Sequence, residues 1–200
     1  KWAYTSVTLA ENDESTKVID VLENVLVAPE NPAAVLEAMA DPGVRIVSLT
    51  VTEKGYCHNP ATGVLTVDQG SAPGFLVRAL AHRRAAGVPP FTVLSCDNLP
   101  ENGALVRQIV LDFAHLLDPS LAQWIGENGR FPATMVDRIT PATTSADIAR
   151  VTAVTGLYDS APVLHEPFRQ WVIEDNFVRD MRPDFNAVGV EMVKDVSRYE

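Results

Sequence analysis

Cysteine is scarce in this 200-residue chain: the two present, Cys57 and Cys96, have neither a CxxC partner nor a histidine at ligand spacing. That pattern argues against a disulfide framework and reads as two reduced thiols of a cytosolic protein. Positive charge is also in short supply. Sixteen Lys and Arg stand against 26 Asp and Glu, a net charge of −10. Nucleic acid and anionic membrane are therefore poor main partners, because both select for clustered cations. An anionic ligand must be held by local features rather than by the overall field. No apolar run approaches the ~20 residues that cross a bilayer, and the first residues do not form a signal peptide. There is no repeat, no low-complexity segment, no GxSxG, no P-loop and no GxGxxG phosphate turn.

What remains is an ordinary globular composition, 46% hydrophobic and 21% charged. A chain of this length needs neither disulfide nor metal to hold a core. It fits one domain, or one and part of another. It begins at Lys1 rather than Met and stops at Glu200 soon after a segment that is still continuing, so an excerpt from a longer protein is expected.

Residues 4–9 and 17–22 alternate like strands around the polar stretch AENDEST, which predicts a β-hairpin. Asn31-Pro32 opens a helix with Val35, Leu36 and Met39 on its apolar side, and Asp41-Pro42-Gly43 ends it. RIVSLTV (45–51) is a short apolar strand, followed by a loop with Gly55, His58, Pro60 and Gly63. Helices are predicted over 73–86, 101–117, 119–127 and 145–156, the last stopped by Gly156. FTVLSC (91–96), FPATMVDRI (131–139) and QWVIEDNF (170–177) read as strands, the last of these closing the series. The strands at 45 and 91 are almost wholly apolar and separated by a helix, the pattern of parallel strands covered on both faces. The fold class expected is α/β, a Rossmann-like, mostly parallel sheet with flanking helices and a β-hairpin.

Ligands of such sheets bind at the carboxyl ends of the strands. After the first apolar strand come Thr50, Val51, Thr52 and Glu53; after the second come Asp97 and Asn98. A parallel sheet puts both sets on one edge, where an amide, small hydroxyls and carboxylates converge. Taken singly, Thr52 and Asp97 read equally well as capping residues. Asp137-Arg138 ends the strand at 131 and reads as two solvated charges or as one charge facing a polar substrate. Glu174-Asp175 has no histidine at ligand spacing, and no metal site is expected. Of the four histidines, His82 and His115 fall on helices as packing or surface residues, and His58 and His165 fall in loops.

Four stretches, LTVTEKGYC (49–57), SCDNLPENG (95–103), FPATMVDRITP (131–141) and EPFRQWVIEDNF (166–177), closely resemble the mannitol dehydrogenase family of long-chain polyol dehydrogenases. That family includes mannitol 2-dehydrogenase and fructuronate reductase (mannonate oxidoreductase). The resemblance runs from about Tyr4 to Glu200. It implies metal-independent, NAD-dependent hydride transfer between a secondary alcohol of a polyol or sugar acid and the ketone, with NADP as the alternative cofactor. The site of such enzymes lies between a Rossmann-type domain and a helical C-terminal domain. Their general base is a lysine in a Lys-x-x-x-x-Asn-x-x-His arrangement. By the resemblance, residues 1–180 are the central and C-terminal part of the cofactor domain, and 181–200 begin the connection to the substrate domain.

Carried over residue by residue, the resemblance makes Asn98 the amide that polarises the reacting C–O group. Glu200 becomes the glutamate just ahead of the base, and Asp137 a carboxylate at the polyol end. Thr50, Val51, Thr52 and Glu53 become the strand end that lines the cofactor. The sequence departs from the family pattern at both ends. The first two strands and the glycine-rich turn between them are missing, and so is the lysine; Lys194 stands too early and lacks the Asn and His. The 200 residues alone are therefore expected to be inactive. A monomeric, cytoplasmic enzyme with a small-molecule partner, and neither nucleic acid nor membrane, is the leading expectation. The competing ones are a non-catalytic sugar- or nucleotide-binding protein that keeps the fold, and a bare structural domain.

Overall fold

A computed structural model of the chain describes residues 2–11, 13–51, 53–56 and 68–199. In chain order the longer elements are β1 (Trp2–Ala10), β2 (Asp13–Leu22), α1 (Pro32–Ala40), β3 (Ile46–Leu49), α2 (Ala72–Ala85) and β4 (Thr92–Ser95). There follow α3 (Asn102–Leu117), α4 (Pro119–Asn128), β5 (Thr134–Asp137), α5 (Ser145–Thr155), β6 (Val163–His165), β7 (Gln170–Glu174) and β8 (Glu191–Val193). Short 3₁₀ turns lie at Glu53–Tyr56, Val178–Asp180 and Phe185–Val188. Among these described residues, no helix is long and apolar enough to cross a membrane. The chain forms two compact units, Lys1–Val25 with Asp137–Gln170, and Leu26–Val136 with Trp171–Glu200.

The first unit is built on the hairpin. β1 and β2 pair antiparallel, and the ladder runs through Thr8↔Ser15, Leu9↔Glu14 and Ala10↔Asp13. The polar stretch expected to loop is thus mostly strand. β2 lies at the margin of the sheet with most of its side chains exposed, so Asp13 through Thr16 extend without burying a polar group. On its other side β1 takes β6 in parallel, Ser6↔Val163 to Thr8↔His165. This three-residue strand was not expected, because three residues are too few to show a period. A small core of Val7, Val151 and Leu164 joins the sheet to α5. That helix opens on a reciprocal capping box, Thr144 with Asp147, and stops at Gly156, whose φ of +69° suits glycine.

The second unit carries the apolar strands. β3 and β4 pair in parallel, Ile46↔Thr92 through Leu49↔Ser95. Every residue of β4 is buried. Val93 faces the larger core with Leu76, Leu80, Val106, Ile109, Val110 and Phe113; Leu94 faces a second cluster with Ile173, Phe177 and Val190. Coverage on both faces explains why β4 shows no polar alternation. β7 is hydrogen-bonded between β5 and β8, and β8 runs parallel to β7. β8 extends the strand series beyond the expected last strand; only Met192 and Val193 of its three residues are even half-buried, too weak a pattern to read.

α1 forms as its Asn31-Pro32 opening predicts, with Asn31 accepting from the Ala34 N–H at 3.0 Å. α2 is buried almost all round, from Pro73 to Arg83. Arg83 ends the burial as a buried cation whose guanidinium donates to the carbonyls of Met39 and Pro89, both at 2.9 Å, of Val44 at 2.6 Å, and of Asp41. The fork thereby fastens the end of α1 and the approaches to β3 and β4 to one helix.

Candidate active site

Register alone puts the two sequence-predicted strand ends side by side. Leu49 is paired with Ser95, and the Cys96 N–H donates to the Leu49 carbonyl at 2.7 Å. Thr50 and Val51 therefore leave β3 on the same edge from which Asp97 and Asn98 leave β4. Thr50 and Asn98 are exposed there, while Val51 and Asp97 are half-buried. Glu53 begins the 3₁₀ turn that follows β3. Asp137 is the last residue of β5 and is exposed. Thr52 and Glu200 lie outside the described residues, as do Cys57 and His58.

Beneath that edge lies a buried polar network that sequence reading did not assemble. Tyr56 comes from the turn after β3, and its ring is embedded in the larger core. Its hydroxyl is 2.5 Å from Ser95 Oγ and also donates to Asp97 Oδ2, which Ser95 Oγ reaches at 2.8 Å. One carboxylate oxygen thus collects two hydroxyls, while the other, Oδ1, is buried with no hydrogen-bond partner.

Asn102 continues the network on the far side of Asp97. Its Nδ2 donates to the Asp97 carbonyl at 3.0 Å and to the Thr134 carbonyl at 2.9 Å, and its Oδ1 accepts from the Thr134 N–H at 3.0 Å. The Thr134 hydroxyl donates to the Ser95 carbonyl at 2.5 Å. Asn102 can reach this position because α3 starts almost in contact with the chain at 131–133. A Cβ on Gly103 would stand 2.5 Å from the Phe131 carbonyl oxygen, so only glycine fits. The preceding Glu101 takes a left-handed conformation, φ +50°, as the chain turns into the helix. The run Asp97-Asn98-Leu99-Pro100-Glu101-Asn102-Gly103 is therefore a turn held at both ends. Its Asn-Gly pair was the available signal for that close approach.

The surroundings set the protonation states. Burial, reinforced by Asp97, pushes the Tyr56 phenol well above its usual range, so it stays a neutral donor. Burial, followed by the charge of Asp97, pushes the Cys96 thiol up to about 11, which makes it a poor nucleophile near neutrality. Among the described residues, no group of three or more His, Cys, Asp or Glu side chains is placed to hold a metal ion. What the edge offers is an exposed amide on a braced turn beside an open strand end. An exposed primary amide is able to donate a hydrogen bond to a ligand oxygen.

Comparison with known proteins gives this geometry a context. A family model described as the mannitol dehydrogenase Rossmann domain matches residues 2–187. The chain is 47% identical over 211 aligned residues to the Escherichia coli K12 oxidoreductase YdfI, covering 98% of this chain and 43% of that protein. It is 43% identical to mannitol 2-dehydrogenase of Pyricularia oryzae, covering 98% of this chain and 42% of that enzyme. Among solved structures, the ternary complex of Pseudomonas fluorescens mannitol 2-dehydrogenase with NAD and D-mannitol superposes with a TM-score of 0.92 at 41% identity. A substrate-free D-sorbitol dehydrogenase superposes with a TM-score of 0.92 at 40% identity. Each structural match covers 98% of this chain and 43% of the other. The chain thus spans less than half the length of these relatives.

Proposed function

Since the chain belongs to the mannitol dehydrogenase family and carries its Rossmann domain, we propose that the protein oxidises a secondary alcohol of a polyol, or of a sugar acid of the mannonate type, to the ketone with NAD. The observation that carries this reading is the in-register ladder of β3 and β4, which sets Thr50-Val51 beside Asp97-Asn98 on one carboxyl edge. The relatives add weight, since one is a mannitol 2-dehydrogenase with NAD and D-mannitol bound.

That edge suits the nicotinamide end of the cofactor. Thr50 and Asn98 are open to a ligand, and the backbone beneath them is fixed by the β3–β4 pairing. Thr50, Val51, Thr52 and Glu53 would line it. When bound, NAD supplies the hydride acceptor. Asn98 donates its side-chain N–H to the substrate oxygen and stabilises the negative charge that gathers there, an interaction worth about 3 kcal/mol in other enzymes. Asp137 accepts hydrogen bonds from the polyol's further hydroxyls. The proton leaves the alcohol to a lysine beyond Glu200, and Glu200 passes it towards solvent. No metal takes part.

The test is a substrate panel on the full-length protein, with mannitol, arabinitol, mannonate and altronate against NAD and NADP, followed by the absorbance of the reduced cofactor. Turnover with at least one of them, undiminished by a chelator, is expected. The 200-residue chain assayed in parallel should show none. Full-length protein that neither turns over a panel member nor binds either cofactor would refute the reading.

A further inference from the structure

The proposed chemistry leaves Tyr56 and Ser95 unused, yet they hold the residue before Asn98. Tyr56 lies on the loop after β3, and its ring is anchored in the larger core. Its hydroxyl reaches across to the loop after β4, to Ser95 Oγ and Asp97 Oδ2. Ser95 is itself buried in β4 and donates to the same carboxylate oxygen at 2.8 Å. The main chain of Asp97 is held separately, by the Asn102 amide at 3.0 Å. Each of these three hydrogen bonds to Asp97 comes from a buried group, and the next residue, Asn98, is exposed at the edge.

We infer that Tyr56 is a positioning residue: its hydroxyl, through Asp97, sets the direction of the Asn98 amide. This inference rests on the role given to Asn98 under Proposed function. The Asp97 carboxylate has two donors on Oδ2 and a buried, partnerless Oδ1. A buried oxygen without a partner is itself unfavourable. Two hydroxyls on one oxygen do, however, fix the carboxylate plane and with it the start of the 97–103 turn. Without the tyrosine hydroxyl, one donor remains for two oxygens. The carboxylate is then free to rotate towards solvent and take Asn98 with it. Its burial keeps the phenol protonated, so it remains a donor to the Asp97 carboxylate.

The experiment is a double-mutant cycle in the full-length enzyme with Tyr56→Phe, Asn98→Ala and the double variant. Tyr56→Phe should lower kcat about 10- to 100-fold, the scale of a small misplacement of a reacting group, with the cofactor KM near wild type. The double variant should be no slower than Asn98→Ala alone, because both changes remove one interaction. A purely structural tyrosine would multiply the two losses, and that result would overturn the inference. So would wild-type kcat in Tyr56→Phe beside a slow Asn98→Ala. Wild-type turnover in Asn98→Ala would instead refute the role of Asn98 itself. If Tyr56→Phe does not yield folded protein, Asp97→Asn, which alters the braced group directly, carries the same cycle and the same outcomes.

Discussion

Asn102 and Thr134 are joined as two strand residues would be: the asparagine side chain takes the Thr134 N–H at 3.0 Å and gives its own N–H to the Thr134 carbonyl at 2.9 Å. A primary amide offers the same donor and acceptor as a peptide group, so Asn102 supplies a ladder rung from the first turn of a helix. Both residues are buried. Asn102→Ala should destabilise the fold by roughly 2–4 kcal/mol, from the lost bonds and the Thr134 groups left unsatisfied. Asn102→Asp should be no milder, since it sets a carboxylate against two carbonyl oxygens. Urea unfolding followed by circular dichroism measures both.

Arg83 should be equally intolerant of change. Four carbonyls share its guanidinium, and the cation lies over the Phe91 ring at 5.0 Å. A lysine brings a single ammonium in place of the fork and cannot reach all four. Arg83→Lys is expected to cost about 2–4 kcal/mol, by the same unfolding experiment, through carbonyls left bare. Equal stability of the two proteins would refute the clamp.

Alkaline pH should loosen the fold in two steps. Cys96 and Tyr56 both bind their protons more tightly folded than unfolded. The unfolded chain therefore ionises first, and rising pH favours it. Their contribution is complete below the ordinary thiol value of 9.0 and fades for Cys96 as pH rises through about 11. Tyr56 follows at higher pH still. The urea midpoint should fall over this range. Cys96→Ser should remove the earlier part of the decline, and Tyr56→Phe the later part; unchanged slopes would contradict the assignment.

Asn98 is exposed and outside the buried network, so its replacement should spare stability while removing the proposed donor. Asn98→Ala is expected to lower kcat by about 100-fold or more in the full-length enzyme, with the melting temperature kept. Steady-state kinetics beside a thermal melt separates that outcome from a folding defect.

The parts of this fold that the sequence revealed are those governed by local rules. Asn31-Pro32, Gly156 and the unbroken apolar runs at 45 and 91 each carry their signal within a few residues, and the elements form there. The shared edge of Thr50 and Asn98 was legible too, because parallel pairing follows from apolar strands separated by a helix. Hidden were β6 and β8, whose three residues are fixed by neighbours far along the chain. Hidden also was the network of Tyr56, Ser95, Asn102 and Thr134. Its members lie in four separate segments, and no spacing rule relates a tyrosine at 56 to a serine at 95. Asp97, read singly as a cap, proves to be the point where those segments meet.

The parallel match of β1 with β6 bears on how this chain is made. Ser6 and His165, bonded across those strands at 2.8 Å, are 159 residues apart. At roughly 5–20 residues per second on a ribosome, the second strand emerges about 8–30 s after the first. During that interval the hairpin presents the edge later covered by β6, with its main-chain groups unpaired. An edge of that kind invites pairing with another nascent chain. Expression of this protein should therefore be sensitive to translation speed and to chaperones that shield strand edges, more than its final stability alone would suggest.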